Sequence, residues 1–132
     1  MTSYREIIYP ADEKNTYPQN LADHLYERFF EPLIEEGRKL RVLDIGCCTG
    51  KALKMFNKRD NLELYGIDIR DEECEGFVFK ACDLETEKIP FEDDYFDVIY
   101  SKSVLEHVKN TDNFVNEALR VLKPGGTFIG MC

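Results

Sequence analysis

The chain has 132 residues, 43% of them hydrophobic, which is enough for one domain with a buried core. Its 17 basic and 26 acidic residues give a formal charge of -9, which argues against nucleic acid as a partner, because nucleic-acid binding depends on basic patches. No apolar run approaches the roughly 20 residues of a membrane span, and the N-terminal residues lack a signal-peptide pattern. We therefore expect a single soluble domain over residues 1–132, located in the cytoplasm and without a membrane partner.

The cysteines predict neither a disulfide framework nor a metal site. There are five of them, an odd number, and no two have the C-x-x-C spacing of a zinc site: Cys47, Cys48, Cys74, Cys82 and Cys132. We expect reduced structural thiols and no bound metal.

The first predicted element is a helix over residues 19–36, within an N-terminal helical segment of about residues 1–37. Apolar residues recur with helical spacing from Leu21 to Leu33, charged residues lie on the opposite face, and Gly37 ends the pattern.

Five short apolar runs then predict buried strands, because they contain β-branched or aromatic residues and end in turn signals. They cover residues 41–45, 62–69, 77–84, 96–101 and 126–131. Helical patterns lie between some of them, at 50–59 and 111–123. This alternation predicts an α/β fold with a parallel sheet and right-handed crossovers.

The helix predicted at 111–123 has an apolar side, and a turn at 124–126 should follow it. The residues expected on that side are Phe114, Val115, Ala118, Leu119 and Leu122.

A ligand site is predicted where the first strand ends. Ligands of open parallel sheets bind beyond the carboxyl ends of the strands, at the switch in strand order. The first strand ends in Asp44, and a loop from Gly46 to Gly50 leads into the next helical pattern.

Two nucleotide-binding patterns do not fit this loop. A triphosphate loop requires G-x-x-x-x-G-K and then Ser or Thr, but only three residues separate Gly46 from Gly50, and Ala52 replaces the hydroxyl residue. A dinucleotide loop requires G-x-G-x-x-G, but Cys48 and Lys51 replace its second and third glycines.

The pattern that remains favours an adenosine-type ligand. Asp68 near the end of the next strand follows the loop at a spacing similar to the about 20 residues at which a carboxylate binds a ribose diol. Two carboxylate oxygens match two vicinal hydroxyls, whereas a carboxylate rejects a 2′-phosphate.

Four segments resemble, in order, the motifs of class I S-adenosylmethionine-dependent methyltransferases, and most of all the type-11 group that includes ubiquinone and menaquinone biosynthesis enzymes. They are VLDIGCCTG, YGIDI, KACDLETEKIPFEDDYFDVIYSKSVLEHV and LRVLKPGGTFIG, and the resemblance covers roughly residues 38–131. It implies a Rossmann-like, doubly wound parallel sheet. It also implies methyl transfer from S-adenosylmethionine to a small-molecule acceptor, with S-adenosylhomocysteine as product.

The same resemblance assigns the residues around the methionine end of the cofactor. Gly46, Cys47 and Gly50 would shape the loop around the methionine, and Asp44 would lie close to its amino group. Ser101, at the end of the fourth strand, would lie near the methionine and the substrate.

At the adenosine end, Asp68 would bind the ribose hydroxyls and Ile69 would pack on the adenine. Asp83 would accept a hydrogen bond from the adenine amino group, with Leu84 beside the ring.

No catalytic residue is assigned, because the sulfonium methyl is already activated and positioning supplies much of the rate. For His107 a structural role is the favoured interpretation, and a base or substrate contact is the alternative.

The sequence departs from the family pattern in two places. Cys48 occupies the middle glycine of the usual G-x-G-x-G loop, and its side chain would crowd the cofactor and weaken binding. The family fold continues for a further helix and two strands, so the chain is expected to be truncated after the fifth strand.

Two further expectations follow from that ending. Residues 126–132 would be an apolar edge strand, which a second copy or another partner would cover. The alternative function is a non-catalytic S-adenosylmethionine-binding module, or a fragment or subunit completed by a partner.

Overall fold

The computed structural model describes residues 28, 38–47, 53, 61–70, 76–102 and 104–131. The predicted helices 19–36 and 50–59 lie outside these residues, apart from Arg28 and Leu53, and so does the rest of the N-terminal segment 1–37. The described part contains five strands, a 3₁₀ turn and a helix. In chain order they are β1 (Leu40–Ile45), β2 (Leu62–Asp68), β3 (Val78–Ala81), β4 (Phe96–Lys102), the 3₁₀ turn (Leu105–His107), α1 (Thr111–Val121) and β5 (Leu122–Met131).

The five strands form one parallel sheet in the order β3-β2-β1-β4-β5. The chain adds β2 and β3 on one side of β1, and β4 and β5 on the other, so the order reverses between β1 and β4. All carboxyl ends lie along one edge, and Ile45 of β1 is in register with Ile67 of β2 and Ser101 of β4. The predicted α/β fold with a doubly wound parallel sheet is confirmed.

Two strand boundaries differ from the prediction by more than one residue. β3 ends at Ala81 instead of residue 84, because the backbone turns at Asp83, whose carbonyl accepts hydrogen bonds from the amides of Thr86 and Glu87. β5 begins at Leu122 instead of residue 126.

The early start of β5 leaves a bulge where the sequence predicted a turn. Between two successive pairings, β4 advances from Phe96 to Val98 while β5 advances from Leu122 to Thr127. β5 therefore has three more residues than β4 in this interval, and Gly125 among them has a φ of 79°, a conformation that favours glycine.

Helix α1 packs one face of the sheet and completes the core on that side. Phe114, Ala118 and Val121 are buried and belong to one cluster with Leu43 of β1 and Ile99 of β4. The burial of such apolar side chains is the main favourable term in folding.

The predicted apolar side of the helix was wrong at three positions. Val115 and Leu119 are 44% and 60% exposed, Leu122 belongs to β5, and Glu117 is buried instead. Glu117 tolerates burial because its carboxylate accepts hydrogen bonds from the Ile89 amide at 2.8 Å and from the Arg120 guanidinium at 2.9 Å.

Within the described residues, no helix is long and apolar enough to cross a membrane. In the same part of the chain, β5 is an edge of the sheet and carries Phe128, which is 41% exposed.

The pairing of residues 126–132 with a second chain stays a prediction. Light scattering over a concentration series should show the mass rising toward that of a dimer. Phe128→Lys should restore the monomer, because a charge on an edge strand opposes pairing. A monomer mass at every concentration, with fast hydrogen exchange along β5, would show that the edge is tolerated without a partner.

Candidate functional site

A cavity of about 520 Å³ opens at the carboxyl ends of the strands. Its volume lies in the usual range of small-molecule sites, about 300–1,000 Å³. Residues from the ends of β1, β2 and β4, from the turn after β3, and from the segment around the 3₁₀ turn line it. Its apolar wall includes Ile45, Ile67, Leu84 and Val104.

Gly46 forms the turn that leaves β1 beside this cavity. Its φ is 78°, and a Cβ built on it would collide with the side chain of Val104. Its amide donates to the carbonyl of Ile67 at 2.8 Å, and the amide of Cys47 donates to the same oxygen at 3.0 Å. The turn is therefore bound to β2, and only glycine fits at its first residue.

Asp44, two residues before Gly46, is a buried carboxyl with no partner among the residues that the structure describes. It is only 3% exposed, and within the described part of the chain its side chain forms no hydrogen bond or ion pair. Burial, and then the charge of nearby Asp68, raise the pKa of Asp44 well above its usual range. A cationic group bound beside it would supply the missing partner.

Asp68 ends β2 and lines the cavity. It is 8% exposed, and its Oδ1 accepts from the Arg70 amide at 3.1 Å and lies 3.5 Å from the Arg70 Nε. Next to it, Ile69 also lines the cavity and is 69% exposed, so it offers an apolar surface to a ligand.

Asp83 and Leu84 line the cavity from the turn that follows β3. The Asp83 Oδ1 accepts from the Glu85 amide at 3.0 Å, and the Asp83 amide donates to the Glu87 carboxylate at 2.9 Å. These bonds within the turn hold the Asp83 carboxylate at the wall, and Leu84 is almost fully buried beside it.

The structure thus brings together five of the predicted cofactor-binding residues at the cavity: Gly46, Asp68, Ile69, Asp83 and Leu84. Asp44 and Ser101 are buried in the adjoining strands and are not part of the lining. Gly50 and Cys48 lie outside the described residues. The cofactor roles of all these residues stay predictions.

Cys47 is also absent from the lining. It is 4% exposed, and its thiol packs over Gly66, where a built Cβ would lie 2.7 Å from the sulfur. Its contribution to the turn is its backbone amide, which binds the carbonyl of Ile67.

Lys102 and Arg70 line the cavity although the sequence did not single them out. Burial lowers the pKa of Lys102, which follows Ser101 at the end of β4. Position at a strand end was the available signal for both residues, since each directly follows a predicted strand.

His107 lines the cavity from the 3₁₀ turn. Its side chain is 78% exposed, and its Nε2 lies 3.9 Å from the carboxylate of Glu106. This places the imidazole at the mouth of the cavity, where a base or a substrate contact is sterically possible.

The residues present fit S-adenosylmethionine. Carboxylates at the ends of two strands suit a ribose and an amino-purine, the apolar wall suits a ring, and the buried Asp44 suits a cation. Among the described residues, no three His, Cys, Asp or Glu side chains come together as a metal site.

This sheet order, with a glycine turn after β1 and an acidic residue ending β2, defines a class I methyltransferase fold. The methyltransferase domain family matches residues 43–130, and the chain belongs to that family.

Curated relatives are 26–35% identical to this chain over the aligned residues. Norajmaline N-methyltransferase of Rauvolfia serpentina is 26% identical over 87% of this chain and 54% of its own length. The ubiquinone/menaquinone biosynthesis C-methyltransferase UbiE of Paraburkholderia phytofirmans is 34% identical over 67% of this chain and 41% of its own length. The chain therefore spans about half or less of the length of these relatives.

Among solved structures, the cyclase SpnF superposes with a TM-score of 0.69 over 90% of this chain and 47% of its own. The identity is 22%, so this likeness concerns the fold alone.

Asp44→Asn should stabilise the folded protein at neutral pH by about 1–2 kcal/mol, because it replaces a buried carboxyl, which has no partner in the described part of the chain, by a neutral group of the same shape. The raised pKa means that protonated Asp44 favours the fold at low pH, and that this contribution is lost as pH rises through the raised value. The gain should therefore shrink toward about pH 4, near the ordinary pKa of aspartate. Urea titrations over this pH range measure it.

Asp97→Asn is the matched control. The Asp97 carboxylate accepts from the Arg41 amide at 2.9 Å and from Lys123 Nζ at 3.2 Å, so the substitution should destabilise. Loss of stability in Asp44→Asn at neutral pH would show that the Asp44 carboxylate has a partner in the fold.

Proposed function

We propose that this chain binds S-adenosylmethionine and transfers its methyl group to a small-molecule acceptor, leaving S-adenosylhomocysteine. The observation that carries the proposal is the convergence of Asp68, Asp83 and an apolar wall on one cavity beside the turn at Gly46. Membership of the methyltransferase domain family supports it.

The adenosine end would bind between the ends of β2 and β3. Asp68 would accept from both ribose hydroxyls, since a carboxylate has an oxygen for each of them. Ile69 and Leu84 would contact the faces of the adenine, and Asp83 would accept from its amino group. The exposure of Ile69, at 69%, leaves its side chain available for this contact.

The methionine end would lie at the turn after β1. Gly46 lines the cavity at this turn, and Gly50 would extend the same loop. Ser101 at the end of β4 would lie near the methionine and the acceptor. Cys47 would act through its backbone and not through its thiol, which is buried over Gly66.

Asp44 would take its negative form when the cofactor is bound. A positive charge close to a carboxylate lowers its pKa, whereas burial raises the pKa of Asp44 in the ligand-free protein. Cofactor binding would therefore lower this raised pKa, and the bound cation would relieve the cost of burying the charge.

Bound S-adenosylmethionine would supply a methyl group already activated by its sulfonium. The chain then has to hold the acceptor in line and exclude water, which can account for a large part of the rate. His107 and Lys102 border the cavity and would contact the acceptor or receive its proton. A small-molecule acceptor agrees with relatives named for the methylation of an alkaloid and of quinone precursors.

We place the protein in the cytoplasm. Cys82 is buried, and burial raises the pKa of its thiol to about 11, which keeps it protonated. Reduced thiols suit a reducing compartment.

The second candidate is a cofactor-binding module without its own turnover, or a subunit completed by a partner. Two observations favour it: the chain spans 54% or less of the relatives above, and one protein of the same fold is named a cyclase. Incubation of the chain with methyl-labelled cofactor and a metabolite extract separates the candidates. Label in a small molecule supports transfer by this chain, whereas cofactor binding without transfer supports the module.

Asp68→Ala should weaken S-adenosylhomocysteine binding by about 1–3 kcal/mol, the cost of losing hydrogen bonds to a charged group. Calorimetry on the purified chain measures this, with ATP and NADH as ligands that should bind less well. Glu63→Ala is the matched control, because Glu63 lies near the other end of β2 and pairs with Arg41. Preferential binding of ATP or NADH to the unmodified chain would overturn the assignment.

A further inference from the structure

The turn after β3 is tied to helix α1 by one side-chain amide. The Nδ2 of Asn113 donates to the carbonyl of Leu84 at 2.8 Å and to the carbonyl of Glu87 at 2.9 Å. A carboxamide nitrogen carries two hydrogens, so both are used on this turn. The two contacts join residues more than 25 positions apart in the chain.

A second set of bonds joins the same two segments closer to the start of the helix. The Glu85 carboxylate accepts from the amides of Lys109 and Asn110 at 2.8 and 3.3 Å, and the side chain of Asn110 donates to the Glu85 carbonyl at 3.1 Å. The first amides of a helix lack partners within it, so this carboxylate satisfies donors at the helix entrance. Turn and helix therefore form one hydrogen-bonded unit.

The other side of this turn is the cavity wall. Asp83, Leu84 and Glu85 all line the cavity, and the Asp83 carboxylate is bound to the Glu85 amide at 3.0 Å. The position of that carboxylate therefore depends on the backbone path through Leu84 and Glu85. Asn113 fixes this path from the side of helix α1. It donates to the carbonyls of Leu84 and Glu87, which are the residues directly before and after Glu85 and Thr86.

We propose that Asn113 is a positioning residue that sets the preference of this site for a purine with a 6-amino group. It acts through the turn 83–87, which it holds so that Asp83 faces the amino group. A hydrogen bond discriminates between ligands only when the acceptor is held in place, because a mobile carboxylate turns away from a mismatched group at little cost. The inference rests on the proposed function.

Asn110 has a different role, although it belongs to the same bonded unit. Its Oδ1 accepts from the Asn113 amide at 3.2 Å and caps the helix. Substitution of Asn110 would therefore destabilise α1 itself. Asn113 is the better probe, because both of the described bonds of its side chain go to the turn.

The test compares S-adenosylhomocysteine with S-inosylhomocysteine, in which a 6-oxo group replaces the amino group. The unmodified chain should prefer the first roughly tenfold or more, the worth of one hydrogen bond to a charged acceptor. In Asn113→Asp an oxygen would face the two carbonyls, so the turn should move and the preference should fall to about twofold or less. A merely structural effect would weaken both ligands equally and leave their ratio unchanged.

Two further variants complete the experiment. Asn61→Asp is the matched control, because the Asn61 side chain makes a similar hydrogen bond to the carbonyl of Arg38 at the far end of the sheet. In this variant the ratio of the affinities for S-adenosylhomocysteine and S-inosylhomocysteine should equal that of the unmodified chain. Asn113→Ala removes the donors without repulsion and keeps good helix propensity, so it replaces Asn113→Asp if that variant does not fold.

Each outcome decides one of the two proposals. If the unmodified chain binds neither nucleoside, the proposed function fails and this inference fails with it. If it binds S-adenosylhomocysteine without preference, or if the Asn113 variants keep the full preference, the positioning role is overturned while the proposed function stands. A ratio of the two affinities that falls in the Asn113 variants and not in Asn61→Asp supports the positioning role of Asn113.

Discussion

The parallel pairing of β1 with β2 on one side and with β4 on the other is the constraint on which the rest of the structure depends. It brings the carboxyl ends of the strands to one edge, with Ile45 in register with both Ile67 and Ser101. The strand order reverses next to β1, and the cavity opens at the carboxyl ends of the strands there. The turn at Gly46 can be bound to Ile67 only while this pairing holds. The position of the cavity, of the turn at Gly46 and of the acidic strand ends therefore depends on this pairing of β1 with β2 and β4.

Folding stability and ligand binding place opposite requirements on buried aspartates. Asp97 and Asp44 are both buried aspartates, but Asp97 accepts from Arg41 and Lys123, whereas Asp44 has no partner among the described residues. A buried unpartnered carboxyl costs free energy of folding. Such a cost is typical of a functional site, because a group that is satisfied within the protein has nothing left to offer a ligand. The bonded turn behind Asp83 shows the complementary principle, since there the surrounding residues are satisfied and hold one carboxylate in place.

The sequence predicted the sheet well, because short apolar runs of β-branched and aromatic residues have few alternatives to buried strands. Five of the predicted cofactor-binding residues line the cavity, since the carboxyl ends of parallel strands lie together regardless of side-chain detail, whereas Asp44, Cys47 and Ser101 do not line it. Features that depend on contacts between distant segments could not be predicted. Glu117 is buried and Leu119 exposed because the 89–91 segment bonds to one side of α1. The orientation of the Cys47 thiol over Gly66 and the role of Asn113 depend on the same kind of contact.

The structure of the chain with S-adenosylhomocysteine tests the central claim most directly, because the claim assigns each part of the ligand to a strand end. The account predicts the ribose hydroxyls within hydrogen-bonding distance of Asp68 and the purine between Ile69 and Leu84. It also predicts that the Asn113 bonds to the turn stay intact. A ligand bound outside this cavity, or a ribose bound by other side chains, would contradict the account.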